Sequence, residues 1–247
     1  MTVKVPKTGL YERDGFSLLC DEVLYGWNAK ALSVTDVFTL VNVPMYYSGF
    51  ADIRDFSAKK YEPMHIVTSA CVGAYEQPTF KSRELFVLYM GSKLKLSGKT
   101  DSGFSEVIGV DGESFFVHSS ALSEIKSEYN PDLIISAAKK LLGAPYKWGG
   151  KTVCGIDCSG LLSMCYFMSG IEIYRDSDFT KTPCFVKKDI KDLSKGDAIY
   201  LKGHVGLYAG NGRVVHASWS KGCVTYCTTE EFLSYGELVS AVGFART

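Results

Sequence analysis

Short apolar runs dominate the first half of the chain. From Gly9 to about Ser123, β-branched and aromatic residues cluster in brief stretches that Gly, Asp and Ser interrupt at intervals of roughly ten residues. The clearest stretches are residues 37–41, 84–89 and 114–117. This spacing is typical of small antiparallel barrels or sandwiches, so it predicts an all-β region.

A weak internal repeat runs through this region. In the first copy, residues 23–26 precede a predicted strand and then residues 47–51. In the second copy, residues 87–91 precede residues 107–110 and 114–118 in a similar order. We therefore predict two related β modules that divide near residues 59–63.

The pattern changes to helical spacing at Asn130. Residues 131–142 begin with Pro, place apolar residues at helical spacing and carry Lys near the end, and Gly143 follows as a stop signal. A second helix is predicted from Cys158 to Gly170. Its expected buried face consists of Leu161, Leu162, Cys165 and either Phe167 or Met168.

Alternating strands return in the last quarter, where residues 204–209 and 213–218 predict a hairpin. A three-residue loop centred on Asn211 would bring His204 and His216 to one face of the hairpin as diagonal neighbours. A one-residue bulge would turn the two side chains to opposite faces.

Length and charge narrow the range of functions. At 247 residues, 46% of them hydrophobic, the chain is long enough for one large domain or two to three small ones. Its 27 Lys and Arg residues balance 27 Asp and Glu residues, which disfavours nucleic acid as a partner. No apolar run approaches the roughly 20 residues that span a bilayer, so we expect no membrane partner. Because residues 1–6 lack the features of a secretory signal, we expect a cytoplasmic protein, and we favour a monomer.

Eight cysteines are scattered along the chain. A chain of this length needs no disulfides to hold its core, so reduced thiols are expected. The pairs Cys154/Cys158 and Cys223/Cys227 are each separated by three residues, whereas structural zinc sites commonly have two. This spacing disfavours zinc, so we expect no metal. We also expect no cofactor.

Cys158 is the candidate nucleophile. It follows the Gly-rich residues 149–155 and stands at the predicted first turn of a helix, where free N–H groups and the helix dipole stabilise a thiolate. The chemistry also needs a base, and the hairpin offers His204 and His216. One imidazole can take the thiol proton while the other accepts its second N–H, as the third member of a catalytic triad does. The alternative is a cysteine that packs under the helix as a small apolar residue.

Four motifs follow one another in the second half of the chain. They are residues 143–150 (GAPYKWGG), 157–161 (DCSGL), 193–198 (LSKGDA) and 203–208 (GHVGLY), the last followed by His216-Ala217. Together they resemble the NlpC-type cell-wall cysteine peptidases over about residues 130–247.

That resemblance implies a compact papain-like α+β catalytic domain over residues 127–247. Cys158 corresponds to the nucleophile, His204 to the base and His216 to the third, orienting residue. The implied reaction is hydrolysis of the amide bond between γ-D-glutamate and a diamino acid in murein peptides.

The front half resembles a pair of bacterial SH3-like barrels, expected over residues 1–60 and 61–126. This arrangement is similar to the YkfC-type enzymes, which recycle murein-derived peptides that have a free N-terminal L-Ala. Substrate-binding roles implied by this resemblance fall on Glu22, Tyr47, Tyr146, Asp157 and Ser159.

Selection for a free amine has a simple physical basis. Carboxylates and hydroxyl groups bind an α-ammonium group. If Glu22 and Asp157 lack a cation until the substrate amine arrives, an N-blocked peptide leaves these charges unpaired and is rejected. The enzyme is thus expected to cut released murein peptides rather than intact cell wall.

Two features depart from the family pattern. Phe50 stands where Trp is usual, and residues 174–178 lack the Pro-Arg that often follows the catalytic helix. Two other function classes stay open. One is a different acyl-transfer cysteine enzyme, such as an amidase, on the same fold. The other is a wall-binding module without catalysis, against which the set of Cys158, His204 and His216 argues.

Overall fold

A computed structural model describes residues 1–15, 17–33 and 37–245 of the protein. The chain divides into two compact units, residues 1–125 and 126–247. Strands make up most of the secondary structure, and the helices are few and short. Within the described ranges, no helix is both long enough and apolar enough to cross a bilayer.

The N-terminal unit consists of short strands joined by tight turns. The strands described in its first half are β1 (Thr2–Val3), β2 (Lys7–Tyr11), β3 (Leu19–Leu24), β4 (Lys30–Ala31), β5 (Phe38–Val43), β6 (Tyr47–Asp52) and β7 (Phe56–Ser57). Those in its second half are β8 (His65–Val67), β9 (Cys71–Tyr75), β10 (Glu84–Tyr89), β11 (Lys93–Asp101), β12 (Phe104–Ile108), β13 (Ser114–His118) and β14 (Leu122–Glu124). The predicted strands at 84–89 and 114–117 are confirmed as β10 and β13.

The two halves of this unit pair their strands in the same order. The first half forms the sheet β3-β2-β6-β5-β4 and a separate β1-β7 pair, and the second half forms β10-β9-β13-β12-β11-β8-β14. Each strand of the first half thus has a counterpart seven strands later. One 3₁₀ turn precedes the last strand of each half, at Ile53–Asp55 and Ser119–Ala121. This shared order confirms the predicted internal repeat.

The two repeats share a hydrophobic core. Tyr25, in the turn after β3, is fully buried among second-repeat residues, and its ring meets Phe115 edge-on with 6.1 Å between the centroids. The Tyr25 hydroxyl accepts a hydrogen bond of 2.9 Å from the buried N–H of Val110. Trp27 donates its indole N–H to the carbonyl oxygen of Gly91 at 2.7 Å. These contacts join the repeats into one unit.

The C-terminal unit combines helices with an antiparallel sheet. Its helices are α1 (Pro131–Lys140), α2 (Cys158–Phe167) and α3 (Thr229–Leu233). Its described strands are β15 (Lys151–Thr152), β16 (Gly155–Ile156), β17 (Phe185–Lys188), β18 (Ala198–Leu201), β19 (His204–Gly210), β20 (Arg213–Ser218), β21 (Cys223–Thr228) and β22 (Leu238–Phe244). The main sheet has the order β17-β22-β18-β19-β20-β21, and β15 pairs with β16. Helix α2 packs against α1 and against β19 and β20.

Local signals explain where α1 begins and ends. The Asn130 side chain accepts hydrogen bonds from the N–H groups of Asp132 (2.9 Å) and Leu133 (3.2 Å), which have no acceptor inside the helix. The helix ends at Lys140, slightly before the predicted end, and Gly143 adopts a positive φ of 80°. The predicted helix and its glycine stop are therefore confirmed.

Helix α2 differs from the prediction in its surroundings. Leu161, Leu162, Cys165 and Phe167 are buried, as predicted. Every other residue from Cys158 to Phe167 is buried too, so burial is not confined to the predicted face. The sheet and α1 enclose the helix, and a helix that is buried all round needs apolar or small residues on every side. It also ends at Phe167 rather than at Gly170, where the chain already turns with a φ of 83°.

Replacing Tyr25 with Phe tests the shared core of the two repeats. The variant keeps the ring but removes the acceptor of the buried Val110 N–H, and an unpaired buried polar group costs about 1–3 kcal/mol. We expect urea denaturation to show a loss of that size in the free energy of unfolding of the N-terminal unit. Tyr46→Phe, a matched change at an exposed ring, is expected to cost less than about 0.5 kcal/mol. Equal, small effects of both changes would contradict the role of the Tyr25 hydroxyl.

Candidate active site

Cys158 is the first residue of α2 and is buried. Asp157 caps the helix, because its Oδ1 accepts a hydrogen bond of 2.6 Å from the N–H of Gly160. The backbone N–H groups of Ser159 and Val205 donate to the Cys158 sulfur. The thiol therefore lies at the N-terminus of the helix, as predicted, and touches the strand that begins with His204.

Burial dominates the ionisation of this thiol. It raises the pKa of Cys158 to about 11, and the negative charge of Asp157 adds to the rise. The N–H groups of Val205 and Ser159 and the Arg175 guanidinium lower the pKa by less. The predicted thiolate is therefore wrong for the resting site, where the thiol keeps its proton at neutral pH. Cys158 needs a base to become a nucleophile.

Asp157 also forms a buried ion pair with Arg175. The guanidinium nitrogens Nη1 and Nη2 each lie 3.0 Å from one carboxylate oxygen of Asp157. Nη1 also donates to the Ser159 hydroxyl at 2.8 Å, and Nη2 donates to the Gly150 carbonyl at 3.2 Å. The N–H of Gly149 donates to Asp157 Oδ2 at 2.7 Å. One network thus joins the Gly-rich loop, the start of α2 and the segment that follows the helix.

This ion pair changes how Asp157 can act on a substrate. The sequence predicts a carboxylate without a cation until the substrate amine binds, and this prediction is wrong because Arg175 supplies the cation. Steep rejection of a blocked amine therefore cannot come from an unpaired Asp157. The binding roles of Asp157 and Ser159 stay predictions.

Arg175 is the site residue that the sequence does not reveal. A buried arginine and a solvated one look alike in a sequence, and residues 174–178 depart from the expected Pro-Arg motif. The sequence signal for Arg175 is its position after the helix that Asp157 caps. Removing one partner of a buried ion pair costs about 3–5 kcal/mol, so Arg175 supports the position of Asp157 and of the adjacent Cys158.

The turn of the β19–β20 hairpin is tighter than predicted. Gly210 lies opposite Arg213, so Asn211 and Gly212 alone form the turn. Both turn residues have positive φ angles, 52° and 68°, which is typical of a type I′ hairpin. The expected three-residue loop is therefore wrong in its length.

The strand register of the hairpin is nevertheless the predicted one. Leu207 lies opposite Val215, and the register shifts by one residue at Ala209, which forms a bulge. The bulge and the shorter turn offset each other. His204 and His216 consequently point to one face of the sheet, with 5.2 Å between their ring centroids.

The two histidines are hydrogen-bonded to each other. Nε2 of His204 lies 2.9 Å from Nδ1 of His216, so Nδ1 of His204 is the ring nitrogen that this bond leaves open. Burial lowers the pKa of each imidazole to about 4, and His204 and Lys221 lower that of His216 further. Both rings are therefore uncharged at neutral pH, and His204 is able to accept a proton.

Tyr146 lies beside the thiol. Its ring meets the exposed ring of Trp219 edge-on, with 5.2 Å between the centroids. Burial raises the pKa of the Tyr146 hydroxyl, and the electrostatic effect of Cys158 and Asp157 in their ionised forms adds to the rise, so the hydroxyl stays a hydrogen-bond donor. The structure thus brings three of the predicted substrate-binding residues together at the start of α2, namely Tyr146, Asp157 and Ser159.

The other two predicted substrate-binding residues belong to the N-terminal unit. Glu22 lies on β3 with 3% of its surface exposed, and its Oε1 is 2.5 Å from Lys7 Nζ. Tyr47 begins β6 opposite Val43 and is half-buried. The predicted lack of a cation is wrong for Glu22 also, because Lys7 supplies one. The binding roles of Glu22 and Tyr47 stay predictions.

Metal-ligating residues are not clustered in the described part of the chain. In residues 1–15, 17–33 and 37–245, no group of three or more His, Cys, Asp and Glu side chains is arranged to hold a metal ion. None of the eight cysteines, all of them in the described ranges, forms a disulfide, and this includes the pairs Cys154/Cys158 and Cys223/Cys227.

Several known proteins resemble this chain in sequence. Residues 143–241 match the NlpC/P60 family. Dipeptidyl-peptidase 6 of Lysinibacillus sphaericus is 28% identical over 224 residues, which cover 84% of this chain and 83% of that protein. The gamma-D-glutamyl-L-lysine dipeptidyl-peptidase of Bacillus subtilis (strain 168) is 29% identical over 209 residues, or 79% of this chain and 68% of that one.

The fold also has a counterpart among solved structures. A crystal structure of an NlpC/P60 family protein from Bacillus cereus ATCC 10987 superimposes with a TM-score of 0.85 over 99% of each chain. The two sequences are 21% identical, so this likeness concerns the fold alone. The range matched by the family contains Cys158, His204 and His216. The C-terminal unit of this chain is therefore an NlpC/P60 domain.

Proposed function

We propose that the protein is a cysteine peptidase that hydrolyses the bond between γ-D-glutamate and a diamino acid in murein peptides with a free N-terminal L-Ala. The observation that carries the proposal is the 2.9 Å hydrogen bond between His204 and His216, on strands that pack against the helix of Cys158. A nucleophile, a base and an orienting group are the components of acyl transfer. The partners of the protein are then murein-derived peptides.

The first half of the reaction forms a thioester. The proposed tautomer of His204 carries its proton on Nε2 and donates it to Nδ1 of His216, 2.9 Å away, so a lone pair remains on Nδ1 of His204. As the Cys158 sulfur attacks the γ-glutamyl carbonyl carbon, the thiol proton passes to this lone pair. The same proton then goes to the amine of the diamino acid, which leaves with it, and the γ-glutamyl group stays bound to the sulfur.

The second half of the reaction releases the acid. His204 takes a proton from a water molecule, and the resulting hydroxide attacks the thioester carbon. The carbon–sulfur bond breaks, the proton returns to the sulfur of Cys158, and L-Ala-γ-D-Glu leaves as a free acid. In both halves a negative charge develops on the carbonyl oxygen. The backbone N–H of Cys158, the first residue of α2, is a suitable donor because N–H groups at a helix N-terminus lack acceptors within the helix.

The substrate class rests on relatives and on the residues near the thiol. One relative is named a gamma-D-glutamyl-L-lysine dipeptidyl-peptidase, and this name describes the linkage proposed here. The repeated strand order of the N-terminal unit supports two SH3-like domains before the peptidase domain. Hydroxyl groups and a carboxylate at Tyr146, Ser159 and Asp157 are suited to a substrate amine. For Glu22 and Tyr47 the proposal rests on the sequence resemblance.

Cleavage of defined peptides by the full chain tests the function. We expect mass spectrometry to show release of the diamino acid from L-Ala-γ-D-Glu-L-Lys and from its diaminopimelate analogue, with little cleavage of intact peptidoglycan. Cys158→Ala is expected to lose turnover and to keep its melting temperature, because the change removes only one buried sulfur. Cys71→Ala, a matched change at an exposed thiol, should keep full activity. Turnover by Cys158→Ala would contradict the proposed nucleophile.

The two histidines are expected to differ in their sensitivity to substitution. His204→Ala should lower kcat about 10²–10⁴-fold, the usual contribution of proton transfer. His216→Asn should keep more activity than His216→Ala, because an amide oxygen can still accept the Nε2–H of His204. Steady-state rates on the tripeptide measure both effects, with His118→Asn in the N-terminal unit as the control. A His204→Ala enzyme with a near-normal rate would exclude His204 as the base.

Acetylation of the substrate tests whether the amine is recognised. Acetylation removes a positive charge and adds bulk. We therefore expect N-acetyl-L-Ala-γ-D-Glu-L-Lys to be cleaved at least about tenfold more slowly than the free tripeptide. A change of that size corresponds to the loss of one hydrogen bond to a charged group. Tyr146→Phe, Glu22→Gln and Tyr47→Phe should each reduce this preference if the residue binds the amine. Equal kcat/KM for the free and acetylated peptides would show that the amine is not recognised.

A further inference from the structure

His216 is enclosed by aromatic rings. It is 1% exposed, and the ring of Phe232 meets it edge-on with 5.2 Å between the centroids. The ring of Tyr235 stacks on it at 5.5 Å, with 28° between the ring planes. Tyr235 itself is 41% exposed. The Tyr235 ring therefore stands between the imidazole of His216 and the solvent.

Polar contacts hold the Tyr235 ring in this position. Its hydroxyl donates to Glu231 Oε1 at 2.6 Å, and Lys221 Nζ donates to the same oxygen at 2.8 Å. The N–H of Glu231 donates to the hydroxyl of Thr228, which caps α3. Tyr235 is thus attached both to α3 and to the turn that follows β20.

The part of His216 in the proposed reaction requires an unprotonated Nδ1. Only then can His216 accept the Nε2–H of His204. Positive charge at His204 or Lys221 opposes protonation of His216, and the Glu231 carboxylate favours it. Burial is the largest cause of the low pKa of His216, about 4. Since the ring of Tyr235 covers the imidazole on its solvent side, it supplies part of that burial.

We propose that Tyr235 is a positioning residue for the catalytic histidines. Its ring closes the solvent side of His216, excludes water from the imidazole and so keeps Nδ1 available as the acceptor for His204. Tyr235 acts through His216 and not on the reacting atoms. The link to catalysis rests on the proposed function, whereas the state of His216 can be measured without a substrate.

Two substitutions separate the ring of Tyr235 from its hydroxyl. Tyr235→Ala removes the cover, whereas Tyr235→Phe keeps the stacked ring and loses only the bond to Glu231. Tyr226→Ala is a matched control, because Tyr226 lies on β21 in the same sheet and its ring packs against Arg213. Far-UV circular dichroism and thermal unfolding establish that each variant is folded.

Nuclear magnetic resonance titration of the His216 ring, in the full chain without substrate, is the first measurement. Opening the ring to water reduces the desolvation that lowers the pKa, so we expect the pKa of His216 to rise by about one unit in Tyr235→Ala. It should stay near the wild-type value in Tyr235→Phe and in Tyr226→Ala. An unchanged His216 titration in a folded Tyr235→Ala protein would overturn the proposal.

The pH dependence of cleavage is the second measurement. If the pKa of His216 rises by about one unit, a larger share of His216 is protonated at pH 4.5, whereas almost none is protonated at pH 7.5. The ratio of kcat/KM at pH 4.5 to kcat/KM at pH 7.5 should therefore fall about threefold in Tyr235→Ala. Tyr235→Phe should restore the wild-type ratio. A purely structural role would lower kcat equally at both pH values, and that result would overturn the link to His216.

The two measurements also distinguish this inference from the proposed function. If the wild-type protein cleaves no murein tripeptide and the His216 titration still shifts in Tyr235→Ala, the substrate is wrong and the cover over His216 is supported. If the wild-type protein cleaves the tripeptide and neither measurement responds to Tyr235→Ala, the function stands and the positioning role of Tyr235 is wrong.

Discussion

The Asp157 carboxylate is the group on which the arrangement of the C-terminal unit depends. Its oxygens accept hydrogen bonds from the N–H groups of Gly149 and Gly160 and from both terminal nitrogens of Arg175. A buried charge must be paired, so the Gly-rich loop, the start of α2 and the segment around Arg175 have to come together in one geometry. Cys158 is the next residue along the chain, and its position follows from that geometry.

Burial imposes a common constraint on the candidate catalytic groups, the Cys158 thiol and the two imidazoles. It raises the pKa of the Cys158 thiol and lowers that of both imidazoles, so each group is uncharged at rest. In the proposed reaction a charge appears only while a proton moves from the Cys158 sulfur to His204, which makes the orientation of the rings more important than their average ionisation. Several features orient the rings: the bulge at Ala209, the bond to His216 and the stacked ring of Tyr235.

The two repeats of the N-terminal unit share a hydrophobic core and form one structural unit. The described strands of its two halves pair in the same order, yet Tyr25 from the first half completes the core of the second. Small β modules bury little apolar surface alone, so sharing one large aromatic side chain stabilises both. The Leu24-Tyr25-Gly26 segment identified the repeat in the sequence, but periodicity within one half carries no information about a core that forms across two.

The sequence by itself determined the local elements and singled out the candidate nucleophile Cys158 with the two hairpin histidines. The helix that begins at Pro131, the helix start at Cys158 and the hairpin around Asn211 depend on interactions within a few residues, and such signals can be read from the chain, although the length of the turn was not. Only the tertiary structure decided the electrostatics. It paired Asp157 with Arg175, which is 18 residues away, and it buried the Cys158 thiol so that it stays protonated. The physical reason is that ionisation and ion pairing depend on solvent exclusion and on distances between remote segments, and neither quantity is encoded in local sequence.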